Sequence, residues 1–410
     1  MPLVVQKFGG SSLATPERIA NVADRVVSTV RSGHEVVAVV SAMGDTTDDL
    51  IELARAVNPD PPKREMDMLL TAGERISMSL TAMAIEARGV EAVSLTGSQA
   101  GILTDAAHGS AKIKEIKGTR VRESLNAGKV VIVAGFQGVD PQSKEITTLG
   151  RGGSDATAVA LAAALEADAC EIYTDVDGVF TADPRLVPEA RKLDEISFEE
   201  MLELSAAGTA VLMTRSVEFG RRFNIPIHVR SSFHDGMGTW VKETTMEQAI
   251  ISGIAHDTSE AKVTVRGVPD RPGVAAALFR PMAEKGVNVD MIVQNVSHDG
   301  TTDISFTVSK SAVEDAEAIA KQVAAEVGAI GVEIDQGIAK VSLVGAGMKS
   351  HPGVAARVFE SLAAAQVNIE MISTSTIRIS CVVAEGAVAR AVQALHVEFD
   401  PPLVEEEVGA

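Results

Sequence analysis

The stretch LVVQKFGGSS, residues 3–12, combines the features that decide the fold of the N-terminal half of the chain. Residues 3–6 predict a short buried strand, Gly9 and Gly10 end it, and a helical pattern begins at Thr15 and Pro16. Glycines let backbone N–H groups approach an anion, and a helix N-terminus adds positive potential. Lys7 stands at the end of the strand, where its ammonium group can reach the same anion. The stretch therefore predicts a phosphate-binding turn, with an ordinary tight turn as the alternative; it is neither a Walker loop nor a dinucleotide-binding turn.

Length and composition limit the class of protein. At 410 residues the chain is longer than one typical core, which predicts two or three domains. The net charge of −19 argues against nucleic acid and anionic membranes as partners, and an aromatic content of 3% argues against base-stacking platforms. The apolar runs are too short to span a membrane, no export signal is recognised, and Cys170 and Cys381 provide no disulfide framework. These features predict a globular cytoplasmic protein.

Strands and helices alternate through the first 245 residues. The near-continuous apolar runs at residues 36–40 and 130–134 are typical of strands buried on both faces. Helical spacing predicts a helix over residues 65–88, interrupted at 71–75, and others at 119–126, 154–166, 197–206 and 209–222. The alternation predicts an α/β fold in which a mainly parallel sheet lies between two layers of helices. Ligands of such sheets bind beyond the carboxyl ends of the strands, where the polar turns of this sequence occur.

The composition changes after Trp240, and an internal repeat follows. The segments KVTVRG (262–267), PGVAA (272–276) and GVNVDMI (286–292) recur as KVSLVG (340–345), PGVAA (352–356) and QVNIEMI (366–372). Each copy predicts strand, helix, strand, strand, helix, strand, which is a ferredoxin-like α+β unit. Two copies are too few for a solenoid and indicate a paired module. We therefore expect a catalytic domain over residues 1–245 and two small domains over 250–335 and 336–410.

A second glycine-rich turn, GRGGSD at residues 150–155, precedes an alanine-rich helix. Arg151 lies among three glycines, and its guanidinium fork suits bidentate capture of a carboxylate or phosphate. Asp155 is either a helix-capping residue or the group that orients the Lys7 ammonium. Glu74 is either a solvated helix residue or a ligand for an ammonium group.

Other motifs for metal or covalent chemistry are weak or absent from the sequence. The segment DVDG at residues 175–178 resembles the start of a calcium loop but lacks the remaining ligands, so it predicts a nucleotide or magnesium contact, or a plain turn. The eight histidines are scattered, which argues against a zinc site. No arrangement for covalent catalysis is recognised. No protein-held metal is predicted.

Six motifs together resemble one family. They are KFGGSS (7–12), SAMG (41–44), TAGER (71–75), FQG (136–138), TLGRGGSD (148–155) and TDVDGV (174–179). Their order and spacing resemble the aspartate kinases, and the repeat resembles that family's two ACT domains. The resemblance covers essentially the whole chain and is specific to the lysine/threonine-regulated actinobacterial type.

The resemblance implies transfer of the γ-phosphoryl group of Mg-ATP to the side-chain carboxylate of L-aspartate, the first step towards lysine, threonine and methionine. It implies that Lys7 and Asp155 are catalytic, that Glu74 binds the ammonium group of aspartate and that Arg151 binds a carboxylate. The implied aspartate-binding residues are Thr47, Glu74, Arg151, Gly152, Gly153 and Ser154. The implied nucleotide-binding residues are Lys7, Phe8, Gly9, Gly10, Ser41, Thr174, Asp175, Phe180, Thr181, Ala182, Asp183, Pro184 and Arg185.

The ACT pair implies feedback inhibition by lysine, threonine or both. The matching effector positions are Asp270, Gly273, Ala275 and Gln294 in the first copy and His351, Gly353, Val354 and Asn368 in the second. Val274 and Thr376 replace acidic residues that are common in relatives. ACT domains of this family pair across subunits, which implies a homo-oligomer. An internal start at Met246 would instead give an α2β2 assembly with a separate regulatory subunit.

One departure from the family pattern bears on activity. Ala210 stands where the family usually has a lysine that contacts the nucleotide phosphates, and Arg215, one turn further on, would point differently. We therefore expect a slow enzyme, because losing a transition-state cation costs on the order of a hundredfold in rate. Two alternatives stay open: a catalytically impaired amino-acid sensor, and a kinase of the same superfamily that acts on glutamate, acetylglutamate or carbamate.

Overall fold

The computed structural model describes residues 1–209, 211–243, 250–295 and 300–399, which form two compact units. Unit 1 comprises Met1–Phe180, Lys192–Ser205 and residues 211–243. Unit 2 comprises Thr181–Arg191, Ala206–Thr209 and the described residues from 250 onwards. Ala210 and Met246, both singled out in the sequence, lie outside the described residues. Of the described helices, none is long and apolar enough to cross a lipid bilayer.

Unit 1 contains twelve described strands and seven described α-helices. The strands are β1 (Leu3–Phe8), β2 (Glu35–Val40), β3 (Ala92–Leu95), β4 (Ile102–Thr104), β5 (Ile113–Ile116), β6 (Val130–Ala134), β7 (Gln137–Val139), β8 (Ile146–Thr148), β9 (Ala169–Thr174), β10 (Glu195–Ser197), β11 (Ile227–Ser231) and β12 (Thr239–Lys242). The helices are α1 (Pro16–Arg31), α2 (Thr46–Val57), α3 (Lys63–Glu86), α4 (Thr119–Asn126), α5 (Gly153–Leu165), α6 (Phe198–Ala206) and α7 (Thr214–Phe223).

The main sheet of unit 1 has eight strands in the order β10-β12-β11-β9-β1-β2-β6-β3. The six strands from β11 to β3 are parallel, and β12 is antiparallel to β11. β1 lies in the middle, between β2 and β9, so the chain beyond Phe8 emerges at the centre of the carboxyl edge. A second sheet, β5-β4-β7-β8, leads into the turn that carries Arg151.

Both faces of the main sheet are covered, as the apolar runs predict. Val36, Ala38 and Val40 of β2 pack in one core with α1 and α3, while the alternate residues Val37 and Val39 are also fully buried. α5 packs against β1, β2 and β9 and is itself buried along nearly its whole length. The prediction of a mainly parallel sheet between helices is confirmed.

Two helix predictions need correction. α3 continues through residues 71–75 without interruption. Gly73 lies where the helix meets the chain after β2, and a Cβ at this position would come within 2.7 Å of the Ala42 Cβ. The glycine thus permits close packing and does not break the helix. α7 begins at Thr214 and not at residue 209; Met213 is its N-cap in an extended conformation.

Unit 2 contains two four-stranded antiparallel sheets, each with helices. Its strands are β13 (Gly253–Asp257), β14 (Glu260–Pro269), β15 (Val289–Gln294), β16 (Thr301–Ser309), β17 (Gly331–Asp335), β18 (Ile338–Val344), β19 (Met371–Thr374) and β20 (Arg378–Ala384). Its helices are α8 (Val274–Glu284), α9 (Val313–Val327), α10 (Val354–Ala364) and α11 (Val388–Phe399). The sheet orders are β15-β16-β14-β17 and β13-β18-β20-β19.

The first copy of the repeat has the predicted order of elements, and the second does not. Within the described residues the second copy ends with α11, and the fourth strand of its sheet is β13, which precedes the first copy in sequence. Residues 253–257 therefore belong to the second sheet, although the predicted bounds place them in the domain 250–335. β13 fills the edge of β18, where an unpaired strand would expose its backbone groups.

The two copies are joined by reciprocal ion pairs between equivalent residues. Lys340 of the second copy contacts Asp290 of the first, and Lys262 of the first contacts Glu370 of the second. Lys340 is 2% exposed and lies 2.5 Å from both Asp290 and Glu260. The lysines are repeat equivalents, as are the two acids. Each copy of the repeat thus contributes a lysine that pairs with the acid of the other copy.

The difference in burial between these lysines predicts a difference in stability. Lys340→Met leaves the buried Glu260 without its cation and is expected to destabilise unit 2 by about 3 kcal/mol. Lys262→Met removes a more exposed pair and is expected to cost about 1 kcal/mol or less. Hydrogen–deuterium exchange of peptides from residues 250–399 measures both in the full chain. Equal losses of protection would contradict the expected role of burial.

Candidate functional site

An ion pair lies at the carboxyl edge of the main sheet. The Lys7 Nζ, near the end of β1, is 2.7 Å from the Asp155 Oδ1 in the first turn of α5, and both side chains are about nine-tenths buried. This contact is the one expected if Asp155 orients the Lys7 ammonium. Burial lowers the local dielectric and strengthens the pair, so the ammonium group is held at one position.

The paired glycines after β1 have different structural reasons. A Cβ on Gly10 would lie 2.9 Å from the Gly44 carbonyl oxygen, so the residue must be small for the chain to pass the loop after β2. The Gly9 N–H donates to the Tyr173 carbonyl oxygen at 3.3 Å, which ties this turn to the end of β9. The predicted phosphate contact of the Gly9 amide therefore competes with a backbone hydrogen bond.

Glu74 is a buried carboxylate in the middle of α3. It is 3% exposed; its Oε1 accepts a hydrogen bond from the Ala42 N–H at 3.2 Å, and its Oε2 has no hydrogen-bond partner among the described residues. Burial raises the pKa of Glu74 to about 7. A buried carboxylate oxygen without a partner is costly unless a ligand supplies the missing donor. Glu74 is therefore not a solvated helix residue, and it fits the ammonium-binding interpretation.

The turn that carries Arg151 is shaped by its glycines. Gly150 and Gly152 have φ of +77° and +70°, the left-handed region, and Gly152 is the N-cap of α5. A Cβ on Gly152 would lie 2.0 Å from the Met213 Cγ. Arg151 between them is exposed, and Ser154 and Asp155 follow in the first turn of α5. The turn thus presents a guanidinium group at a helix N-terminus, where the backbone already favours anions.

These groups line one cavity of about 700 Å³ within unit 1. Of the predicted site residues, the cavity is lined by Lys7, Gly9, Gly10, Ser41, Thr47, Glu74, Arg151, Gly152, Gly153, Ser154 and Asp155. Its two cationic side chains from the motifs and the N-terminus of α5 can balance the charge of anionic ligands. The carboxylate of Glu74 can hold a cationic group in the same space.

Three further residues lie around the cavity. The sequence did not indicate two of them, Asp67 and His108, and the third is Arg215. Asp67 and His108 line the cavity, and the His108 Nδ1 is 2.6 Å from the Asp67 Oδ2. Arg215 donates to the carbonyl oxygens of Leu149 and Ala111 at 3.2 and 3.1 Å, so it does not replace the lysine missing at position 210. The sequence signal for Asp67 is its spacing: an aspartate seven residues before Glu74 lies on the same face of a helix.

The predicted nucleotide-binding residues that do not line the cavity fall into three groups. Phe8 is buried and its ring stacks on Tyr173 at 4.9 Å, so its side chain belongs to the core. Thr174 ends β9, Asp175 and Phe180 follow it in unit 1, and all three lie outside the lining of the 700 Å³ cavity. The remaining five, Thr181, Ala182, Asp183, Pro184 and Arg185, belong to unit 2.

Within unit 2 several of those side chains have other partners. Thr181 and Ala182 are buried, the Thr181 Oγ1 lies 3.0 Å from the His396 Nε2, and Asp183 pairs with Arg185. A nucleotide contact of Thr181 or Ala182 through the side chain is therefore not supported.

Of the predicted effector positions, Gly273 and Gly353 occupy equivalent places in the two copies. Gly273 and Gly353 both have φ of +97° and are the N-caps of α8 and α10. Asp270, Ala275, Gln294 and Asn368 are exposed. Val354 is an exception, because its side chain packs in the core of the second copy, and the exposed His351 already contacts the Gly347 carbonyl oxygen through its Nδ1 at 2.8 Å.

Comparison with known proteins gives the class that the fold and site define. Residues 2–231 match the amino acid kinase family, and residues 263–328 and 341–399 each match an ACT domain. The chain is therefore a phosphotransferase with a kinase domain of this fold, followed by two ACT domains.

The individual relatives narrow this class. Aspartokinases from Mycolicibacterium smegmatis and Corynebacterium glutamicum are 59% and 58% identical, and each alignment covers 97% of this chain and 96% of the relative. The crystal structure of E. coli aspartokinase III in complex with aspartate and ADP superposes with a TM-score of 0.83 at 26% identity, over 97% of this chain and 100% of that one. The chain belongs to the aspartokinase family.

The close approach at Gly152 predicts the effect of adding one methyl group. Gly152→Ala combines a left-handed backbone with a clash against Met213 and is expected to destabilise unit 1 by about 3 kcal/mol. Gly128→Ala is the matched control, because Gly128 has φ of +76° with open space around it, and about 1 kcal/mol is expected. Chemical denaturation of both variants measures the difference. Equal costs would show that Met213 moves away freely.

Proposed function

We propose that the chain transfers the γ-phosphoryl group of Mg-ATP to the side-chain carboxylate of L-aspartate and produces 4-phospho-L-aspartate. The observation that carries this proposal is the convergence of Lys7, Glu74, Arg151 and Asp155 on one cavity. The neighbouring E. coli structure binds aspartate and ADP, which supports the same pair of ligands here. Glutamate, acetylglutamate and carbamate kinases of the superfamily are disfavoured by the two ACT domains.

The reaction needs charge neutralisation more than acid–base catalysis. A side-chain carboxylate with a pKa of about 4 is ionised at neutral pH and attacks without a general base. Its approach to the phosphates brings two anions together, and the transferring group spreads negative charge over its oxygens. The Lys7 ammonium, fixed at 2.7 Å from Asp155, and the N-terminus of α5 supply positive potential at this edge of the sheet.

L-Aspartate is proposed to be oriented by its own three charges. The unpartnered Oε2 of Glu74 accepts from the α-ammonium group, and the exposed fork of Arg151 binds the α-carboxylate. Thr47 and the turn Gly152–Gly153–Ser154 border the same space. The side-chain carboxylate is then left for the phosphoryl group. This explains why the site needs both an anionic and a cationic side chain.

The nucleotide is proposed to bind through its phosphates beside Lys7, Gly10 and Ser41, with Thr174, Asp175 and Phe180 as the further predicted contacts within unit 1. No group of three or more potential metal ligands occurs among the described residues. Mg²⁺ is therefore proposed to bind mainly to the phosphate oxygens, as is common for this ion. It would supply charge neutralisation for the transferring group.

Regulation is proposed to act through the ACT domains. The E. coli enzyme has also been crystallised with lysine and aspartate; that structure superposes with a TM-score of 0.75 at 27% identity. We extend lysine binding to this chain and add threonine from the sequence resemblance, at the exposed positions near Gly273 and Gly353. Inhibition of the kinase assay by either amino acid tests this. A homo-oligomer or α2β2 assembly, checked by size-exclusion chromatography, and a cytoplasmic location are part of the same proposal.

The burial of Glu74 predicts a pH dependence that identifies its role. With its pKa raised to about 7, Glu74 is protonated at lower pH and loses its charge for the substrate ammonium group. The kcat/KM for aspartate, measured by aspartyl hydroxamate formation with Mg-ATP, is expected to fall about tenfold per pH unit below pH ~7. Glu74→Gln is expected to lower kcat/KM for aspartate by about a hundredfold and to flatten this limb. An unchanged profile in the variant would refute the assignment.

The missing lysine at position 210 predicts a gain of function. Ala210→Lys restores the residue usual in the family, and kcat is expected to rise on the order of tenfold or more if charge limits the rate. Ala206→Lys, an exposed position four residues earlier, is the control for added charge. Equal rates for wild type and Ala210→Lys would show that the missing cation is not limiting. A wild type without hydroxamate formation would instead favour the amino-acid sensor.

A further inference from the structure

The buried carboxylate of Asp67 accepts hydrogen bonds from three neighbours. Its Oδ1 accepts from the Thr148 hydroxyl at 2.6 Å and from the Gly109 N–H at 3.1 Å. Its Oδ2 lies 2.6 Å from the His108 Nδ1 and 3.2 Å from the same Gly109 N–H. Asp67 is 1% exposed, so these bonds replace water around a charged group. The charge of Asp67 is thus committed to holding neighbouring segments of the protein.

The bonded segments lead to the two side chains proposed to hold aspartate. Asp67 and Glu74 lie on α3 seven residues apart, which is close to two helical turns and places them on one face. Thr148 ends β8, three residues before Arg151. The Asp67 carboxylate therefore links the helix that carries Glu74 to the turn that carries Arg151. A rotation or shift of either segment would have to break bonds at Asp67.

The segment from His108 to Ala111 braces the same turn. The Ala111 N–H donates to the Thr148 carbonyl oxygen at 2.9 Å, and Arg215 bridges the carbonyl oxygens of Ala111 and Leu149. A Cβ on Gly150 would lie 3.0 Å from the Gly109 carbonyl oxygen, which shows how closely the two segments pack. The Arg151 turn is thus fixed to this segment, and Asp67 fixes both to α3.

We propose that Asp67 is a positioning residue that sets the separation of Glu74 and Arg151, and thereby the affinity for L-aspartate. The proposal rests on the proposed function of the site. The Asp67 carboxylate is hydrogen-bonded to protein groups, and no part in the phosphoryl transfer itself is proposed for it. A misplacement of about 1 Å in such a site can cost on the order of a hundredfold in rate.

The test uses Asp67→Asn in the full chain. The asparagine oxygen in place of Oδ1 can still accept from Thr148 and Gly109, but the NH2 group in place of Oδ2 cannot accept from His108. We expect the KM for aspartate to rise about tenfold or more and the KM for Mg-ATP to change less than about twofold. General destabilisation would lower the amount of active enzyme and hence kcat, while leaving the KM for aspartate unchanged.

Thr148 and Thr81 provide the second arm. Thr148→Val removes the hydroxyl bonded to Asp67 and is expected to raise the KM for aspartate, whereas Thr148→Ser retains the hydroxyl and is expected to restore it. The double variant Asp67→Asn/Thr148→Val is expected to raise the KM for aspartate at least as much as either single variant, because Asp67→Asn alone retains the bond from Thr148. Thr81→Val is the matched control. Thr81 is a buried threonine of α3, the helix that carries Asp67, and its hydroxyl has no partner among the described residues.

The outcomes separate this inference from the proposed function. A wild-type chain without aspartyl hydroxamate formation overturns the proposed function and the inference with it. An active wild type, with an unchanged KM for aspartate in Asp67→Asn and Thr148→Val, overturns only the positioning role. An equal rise of KM in Thr81→Val also overturns it, because the loss of any buried threonine hydroxyl would then explain the effect.

Discussion

The pairing of Lys7 with Asp155 is the constraint on which unit 1 depends. For the two charges to lie 2.7 Å apart, the end of β1 must meet the first turn of α5 at the centre of the carboxyl edge. The central position of β1 and the packing of α5 against it make this possible. The small residues at Gly10 and Gly73 then allow the loop after β2 and helix α3 to approach the same point. The sheet thus serves to hold one ammonium group where phosphate chemistry is proposed.

Charge is distributed locally in a way that the whole-chain balance does not reveal. The chain carries a net charge of −19, yet the cavity collects Lys7, Arg151 and the N-terminus of α5. Its buried acidic groups are committed: Asp155 to Lys7, Asp67 to three protein donors, and Glu74 to the Ala42 amide through one oxygen only. Among these three buried groups, Glu74 is therefore the carboxylate with capacity left for a ligand. This selection among similar side chains follows from burial and hydrogen bonding.

In unit 2, ion pairs join the two copies of the internal repeat. The exchange of ion pairs between Lys262, Lys340 and the two repeat-equivalent acids joins the copies through the same positions in each. The two lysines differ in burial, and Lys340, the more buried one, also contacts the buried Glu260. Strand β13 adds a second asymmetry by completing the sheet of the second copy from a distant part of the sequence. The pair is thus one structure built from two similar halves.

The sequence by itself determined the α/β class, the continuous burial of β2 and β6, and the repeat, because apolar periodicity and glycine positions act over a few residues. It also pointed to Lys7, Glu74, Arg151 and Asp155 as site residues, because their motifs are local. Only the tertiary structure decided that α3 runs unbroken past Gly73, that β13 completes the second sheet, and that Thr181 and Ala182 are buried in unit 2. Those outcomes, like the bonds of Asp67 to Gly109 and Thr148, join residues about 30 or more positions apart. No local pattern encodes such contacts, since they exist only once the chain has packed.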